Sequence, residues 1–110
     1  MEFVNLTGKI IRLNDGRKFL PSAHVVKVEL VFSDTEPRFI PEEYKDLRIV
    51  SLKKVVVGLP VEDDSRTLLV EKDVLDVIRS DRGDVIAPAY GHPDCVVKNG
   101  EVFSVPGFIW

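Results

Sequence analysis

Cysteine and methionine each occur once in this chain, and glutamine not at all. A lone Cys95 cannot close an internal disulfide, which fits a reducing compartment. No apolar run approaches the roughly 20 residues that a bilayer crossing needs. The opening Met1-Glu2-Phe3-Val4-Asn5 has neither the basic flank nor the apolar stretch of a secretory signal. The expectation is a cytoplasmic protein with no membrane partner. Few thermolabile side chains beside many charged ones is also the composition of heat-adapted proteins, so a thermophilic source is expected.

Several chemistries are missing as well. The sequence has no Gly-rich phosphate loop, no Gly-x-Ser-x-Gly and no His-Glu-x-x-His. His92-Pro93-Asp94-Cys95 sets an imidazole and a thiol three apart, but a metal site needs three or four ligands and His24 is the other histidine. Cys95 opens an expected strand, where it packs as a small hydrophobe. No metal, cofactor or catalytic residue is therefore assigned. The net charge is −3, with no basic stripe and no alternation of aromatic with basic residues. Duplex nucleic acid, which demands many phosphate contacts, is not an expected partner. The first 55 residues lean basic and the rest acidic, an asymmetry suited to self-association.

What is present is the material of one domain, residues 1–110, with 45% hydrophobic residues to build a core. Lys9–Leu13 and Arg17–Leu20 flank Asn14-Asp15-Gly16 and read as a hairpin. Val25–Phe32 alternates, with Val26, Val28, Leu30 and Phe32 on one side. Residues 33–46 read as a loop with one helical turn starting at Pro41. Leu47–Val57 is a long strand whose adjacent Lys53-Lys54 marks a bulge or an exposed edge. Thr67–Val70 is a short strand leading into a helix over Glu71–Ser80, with Val74, Leu75, Val77 and Ile78 as its apolar stripe. Asp84–Ala87 is another short strand. Asn99-Gly100 centres a two-residue hairpin with Lys98 opposite Glu101. The apolar ending Phe108-Ile109-Trp110 packs on the body or on a second copy. Seven or eight strands and one helix give an α+β fold. Its form is a strand-rich bent antiparallel or mixed sheet, or a partly open small barrel, with the helix packed across it.

Arg79-Ser80-Asp81-Arg82-Gly83-Asp84 is the densest polar cluster, placed where the helix ends and a strand begins. Arg79 and Arg82 could clamp a phosphate or carboxylate, with Asp81 and Asp84 orienting them. Asn5 and Thr7 on the N-terminal strand would add neutral hydrogen bonds. On this reading Arg82→Ala weakens binding about ten- to a hundredfold and leaves the fold intact.

Asn5-Leu6-Thr7, Pro21-Ser22, Gly58-Leu59-Pro60, Leu68-Leu69-Val70, Arg82-Gly83-Asp84 with Pro88, and Asn99-Gly100 follow one another along nearly the whole chain. This order resembles an uncharacterised family of small phage and actinobacterial proteins that open Asn-Leu-Thr-Pro-His. The family's Pro-His is Gly8-Lys9 here, and the first Asp of its Arg-Asp-Asp is Gly83. The resemblance implies a viral or mobile-element setting, hence a host's cytoplasm, and no mechanism. The functional expectation is a non-catalytic binding protein that captures a small anionic, nucleotide-like ligand or a host protein, and forms a homo-oligomer, most simply a dimer. The alternatives are a small enzyme on a nucleotide or phosphoester, with Asp81 or Asp84 as base, and a structural virion or assembly protein.

Overall fold

Thr67-Leu68-Leu69-Val70 carries no polar alternation, which is the pattern of a strand buried on both faces. The computed structural model describes residues 2–36, 39–78 and 82–110, and this run lies at its centre. The chain begins with β1 (Glu2–Asn5), β2 (Ile11–Arg12), β3 (Lys18–Phe19) and β4 (Lys27–Asp34). A 3-10 turn at Glu42–Tyr44 precedes β5 (Val50–Val57) and β6 (Arg66–Leu69). Then come α1 (Lys72–Ile78), β7 (Val85–Pro88), β8 (Val96–Lys98), β9 (Glu101–Ser104) and β10 (Phe108–Ile109). The fold is strand-rich α+β with several sheets, and among the described residues none closes into a barrel.

The main sheet has the order β1-β6-β7-β10. β1, β6 and β7 run parallel, and β10 returns antiparallel to β7. The helix joins β6 to β7, the crossover that parallel neighbours require. Side-chain alternation along β6 and into Val70 then divides the core. Leu68 and Val70 point to the helix side with Val74, Leu75, Val85, Ala87, Leu6 and Val26. Leu69 points to the opposite side with Ile11, Leu13 and Val105. Leu68, Leu69 and Val70 are fully buried, so each stabilises by roughly 1.5–3 kcal/mol relative to exposure.

The second layer is closed by aromatics brought together from three strands. Phe3 stacks on Phe19 at 4.5 Å between ring centroids, and Phe108 sits 5.4 Å from Phe3 and 5.7 Å from Phe19. The apolar C-terminal run thus divides: Phe108 and Ile109 pack on the body, whereas Trp110 is exposed.

Of the helix expected over Glu71–Ser80, Lys72–Ile78 is helical and Glu71 precedes it, while residues 79–81 lie outside the described ones. Asn99 at φ 54° and Gly100 at φ 79° make the two-residue turn between β8 and β9, with Lys98 opposite Glu101 and Val97 opposite Val102. A side chain at Gly100 would meet no neighbour, so Gly100→Val acts through backbone strain alone. It should cost on the order of 1 kcal/mol, read as a lowered melting temperature.

β4 and β5 form the longest ladder, eight residues against eight from Lys27–Val57 to Asp34–Val50, with no break in register. Lys53-Lys54 therefore marks an exposed edge and not a bulge. The expected alternation of Val26, Val28, Leu30 and Phe32 holds, but only the first two reach the core. Leu30 and Phe32 are 55% and 60% exposed, because among the described residues no second layer covers this hairpin beyond its root. It projects as an arm. The Cα radius of gyration is 18.5 Å and the long axis 60 Å, against a radius of about 13 Å for a compact chain of this length. At the root, Gly58 takes φ +88°, and a side chain there would press on the His24 ring. His24 Nε2 and the Gly58 carbonyl lie 2.5 Å apart and tie the two sides of the root together.

Candidate functional site

Three parallel strands end at one edge of the main sheet, and the residues just past their ends converge. Lys9 follows β1, Glu71 follows β6 and Tyr90 follows β7. The carboxyl ends of parallel strands are where open α/β sheets hold ligands, since the diverging loops leave a crevice there. The Lys9 ammonium lies 3.2 Å from the Glu71 carboxylate and 5.0 Å from the Tyr90 ring centroid.

Lys9 is positioned by residues that the sequence had marked for another role. Asn5 is buried, and its Nδ2 donates to the carbonyls of Lys9 and Phe19, both at 2.8 Å. Its Oδ1 accepts from the Thr7 backbone N–H at 3.0 Å and the Thr7 hydroxyl at 2.6 Å. The Thr7 hydroxyl in turn accepts from the Lys9 N–H at 3.3 Å. Asn5-Leu6-Thr7 is thus a folded polar knot that fixes the loop carrying Lys9. Its polar atoms are engaged internally and not offered to a ligand.

Beyond Lys9 the hairpin strand β2 and strand β9 wall a cleft of about 420 Å3, lined by Lys9, Arg12, Tyr90, Glu101, Phe103 and Ser104 among others. This lies within the range of small-molecule sites, roughly 300–1,000 Å3. The Arg12 guanidinium stands 5.2 Å from the Phe103 ring centroid and the Lys98 ammonium 3.8 Å from it. Such cation–ring contacts hold both cations near one aromatic wall. The floor is braced where Ser104 donates to Asn14 at 2.6 Å and Asn14 donates to the Asp94 carbonyl at 2.8 Å.

Both titratable groups at the mouth of the cleft are shifted upward. Burial pulls the Lys9 ammonium down, but its hydrogen bond and charge attraction to Glu71, aided by Tyr90, more than offset this and its pKa is raised. Burial pushes the Tyr90 phenol up, and the pull of Lys9 does not reverse it. At neutral pH the cleft therefore presents a charged ammonium and a neutral phenol.

The Arg82 cluster is built differently from the expectation. Arg82 and Asp84 side chains are 15% and 7% exposed. Arg82 Nε donates to Asp84 Oδ1 and Nη2 to Oδ2, both at 2.8 Å, and Nη2 also reaches the Pro60 carbonyl at 2.9 Å. Asp84 accepts a further bond from the Asp63 N–H at 3.4 Å, while Gly83 N–H donates to Glu62 at 3.3 Å. The Arg82 fork is thus spent on holding residues 58–65 against the start of β7. The Arg82 hydrogen bond holds the Asp84 carboxyl below its ordinary value despite burial, so Asp84 is a paired anion. Arg79 and Asp81 lie outside the described residues.

Nor does the fold join the two halves of the expected site. Asn5 stands opposite Leu69, whereas Asp84 precedes Val85, the partner of Leu68. They are two strands apart and offset along the strands, a separation on the order of 10 Å. Lys9, Arg12, Tyr90, Lys98 and Phe103 were not legible as a group in the sequence because they come from segments as far apart as positions 9 and 103. His92 serves its own turn, Nδ1 accepting from the Asp94 N–H at 3.0 Å, and the Cys95 thiol donates to the Ala89 carbonyl at 3.2 Å.

A larger concavity, about 1,120 Å3, lies at the tip of the arm between Asp34, Ile40 and Arg48. Its walls come largely from exposed residues, and among the described residues no second layer supports them. Fold and cleft together define an α+β protein with a cation- and aromatic-lined crevice at the carboxyl edge of a parallel sheet. No helix among the described residues is long and apolar enough to cross a membrane. Compared with protein-family models, curated proteins and solved structures, the chain matches none.

Proposed function

We propose that this chain is a binding protein that captures a small anionic, nucleotide-like ligand in the crevice between Lys9, Arg12 and Phe103. The observation that carries the reading is the approach of Arg12 and Lys98 to the Phe103 ring, which lines one cleft with Arg12, Lys9 and Tyr90. Cations attract a phosphate or carboxylate, and Phe103 supplies a flat apolar surface for a ring. Arg12 and Lys98 form no ion pair with a carboxylate among the described residues, so their charge is available to a ligand. On the resemblance to phage proteins, such a binder would act in a host's cytoplasm as an accessory factor of a virus or mobile element.

Native mass spectrometry of freshly purified protein should show an added mass of nucleotide size, and calorimetric titration with adenosine nucleotides should give saturable binding. Each engaged cation contributes roughly 1.5–3 kcal/mol. Arg12→Ala and Lys9→Ala should thus each weaken binding about ten- to a hundredfold. Phe103→Ala should weaken a nucleotide more than it weakens inorganic phosphate. Unchanged affinity in both cation variants would place the site elsewhere.

A further inference from the structure

Beyond the ligand crevice, we infer that the apolar face of the β4–β5 arm is a self-association surface whose occupant is the same face of a second copy of this chain. The register decides what that face contains. Residues opposite one another in an antiparallel ladder share a face. Val28 with Val56, Leu30 with Lys54, Phe32 with Leu52 and Asp34 with Val50 therefore point one way. The other face carries Lys27, Glu29, Ser33, Ser51 and Lys53, with Val31, Val55 and Val57 among them.

Val28 and Val56 pack on the helix-side core at the arm's root. Leu30, Phe32, Leu52 and Val50 do not, and all four are exposed. A two-stranded hairpin without a covering layer is marginal in water, since it needs a packed face or further strands to stand alone. Among the described residues nothing supplies either, so a second copy is the layer we infer.

The charges select the occupant. Residues 27–57 carry six basic and six acidic side chains, so the arm has no net charge to draw an anionic lipid surface or a strongly charged protein. On the apolar face itself only two charges occur, Lys54 beside Leu30 and Asp34 beside Val50, with the Phe32–Leu52 pair between them. Positive, apolar, negative in that order is self-complementary under a two-fold axis through Phe32 and Leu52. Two arms packed face to face and antiparallel then bury Phe32 and Leu52 of both copies. Lys54 of each comes within side-chain reach of Asp34 of the other, which already holds Arg48 at 2.8 Å. Such an isologous contact closes on itself as a dimer.

Edge-to-edge growth through β5 is opposed. Thr35 N–H bonds the Ile49 carbonyl, so by alternation the odd residues of β5 bond β4 and Val50, Leu52, Lys54 and Val56 turn their backbone groups outward. Two β5 edges centred on one another would set Lys53 against Lys53, or Lys54 against Lys54, a device that blocks sheet extension. The face is open where the edge is guarded.

Sedimentation velocity on the full chain tests this. The wild type should be a dimer at micromolar concentration, and Phe32→Glu a folded monomer with a lower melting temperature, since it loses the stabilisation that association lends. Lys54→Glu and Asp34→Lys should each weaken dimerisation by at least about tenfold, because like charges then face one another. The double variant Asp34→Lys/Lys54→Glu should recover it. A wild type that stays monomeric at high micromolar concentration overturns the proposal and leaves the face to a different partner. Dimers unaffected by Phe32→Glu, or charge variants not rescued by the double exchange, overturn it too.

Discussion

Asp84→Ala should destabilise the protein by about 3–5 kcal/mol, the cost of stripping one member from a buried ion pair. A domain of this kind has about 5–15 kcal/mol in all, so the variant would stand close to unfolding at ambient temperature. The reason is geometric. Asp84 takes both arms of the Arg82 fork at 2.8 Å, and only 7% of its side chain reaches solvent. Without it the guanidinium is left buried with the Pro60 carbonyl as its remaining hydrogen-bond partner among the described residues. Arg82→Ala should be similarly costly, in contrast to the harmless change expected when the cluster is read as a ligand clamp. Replacing both residues together, as Arg82→Met/Asp84→Leu, should recover most of the loss, because no charge is then stranded. Urea denaturation of the single and double variants separates these outcomes.

The same pair sets an acid limit. The folded-state pKa of Asp84 lies below its ordinary value, chiefly through the Arg82 hydrogen bond. Its contribution is therefore complete above the unfolded pKa of about 3.9 and is lost as pH falls through the lower folded value. Wild-type stability should decline below about pH 4. In Asp84→Asn that decline should be shallower from a lower starting stability, which a series of melts in acid would show.

Asn5→Ala should cost about 3 kcal/mol and abolish ligand binding in the same step. Its side chain makes four hydrogen bonds, two given to the Lys9 and Phe19 carbonyls and two taken from Thr7. Alanine leaves several of these partners unmatched in a buried place, each worth roughly 1–3 kcal/mol when orphaned, with some relief from entering water. It also frees the loop that carries Lys9, so the ammonium is no longer held beside Glu71 and Tyr90. Thr7→Val should act in the same direction and more mildly, losing the hydroxyl that accepts from Lys9 N–H. A melt and a nucleotide titration on each variant read both effects. A stable Asn5→Ala that binds normally would dissociate the knot from the crevice.

The polar signals in the sequence were informative about place and less so about role. Asn5 and Thr7 stand out because buried amides and hydroxyls are kept only when bonded, yet their partners are backbone atoms and not a ligand. Arg82 and Asp84, two apart, carry the same ambiguity. A bidentate pair and an anion clamp need identical residues, and only the 2.8 Å contacts between the two decide for the pair.

Local chemistry was determined by the sequence alone. Asn99-Gly100 could form only a tight turn, Thr67–Val70 needed cover on both faces, and the helix stripe of Val74 and Leu75 needed a core. Each depends on neighbours a few residues away, where backbone sterics and side-chain periodicity act directly. Which apolar face would be buried was decided only by the tertiary structure. Leu30 and Phe32 alternate as faithfully as Val26 and Val28, but alternation shows that a face exists and not that another layer reaches it. The crevice was decided there too. Lys9, Tyr90 and Phe103 meet because parallel pairing of β1, β6 and β7 aligns their carboxyl ends and β9 folds back beside β2, contacts between residues too distant in the chain for any local pattern to encode.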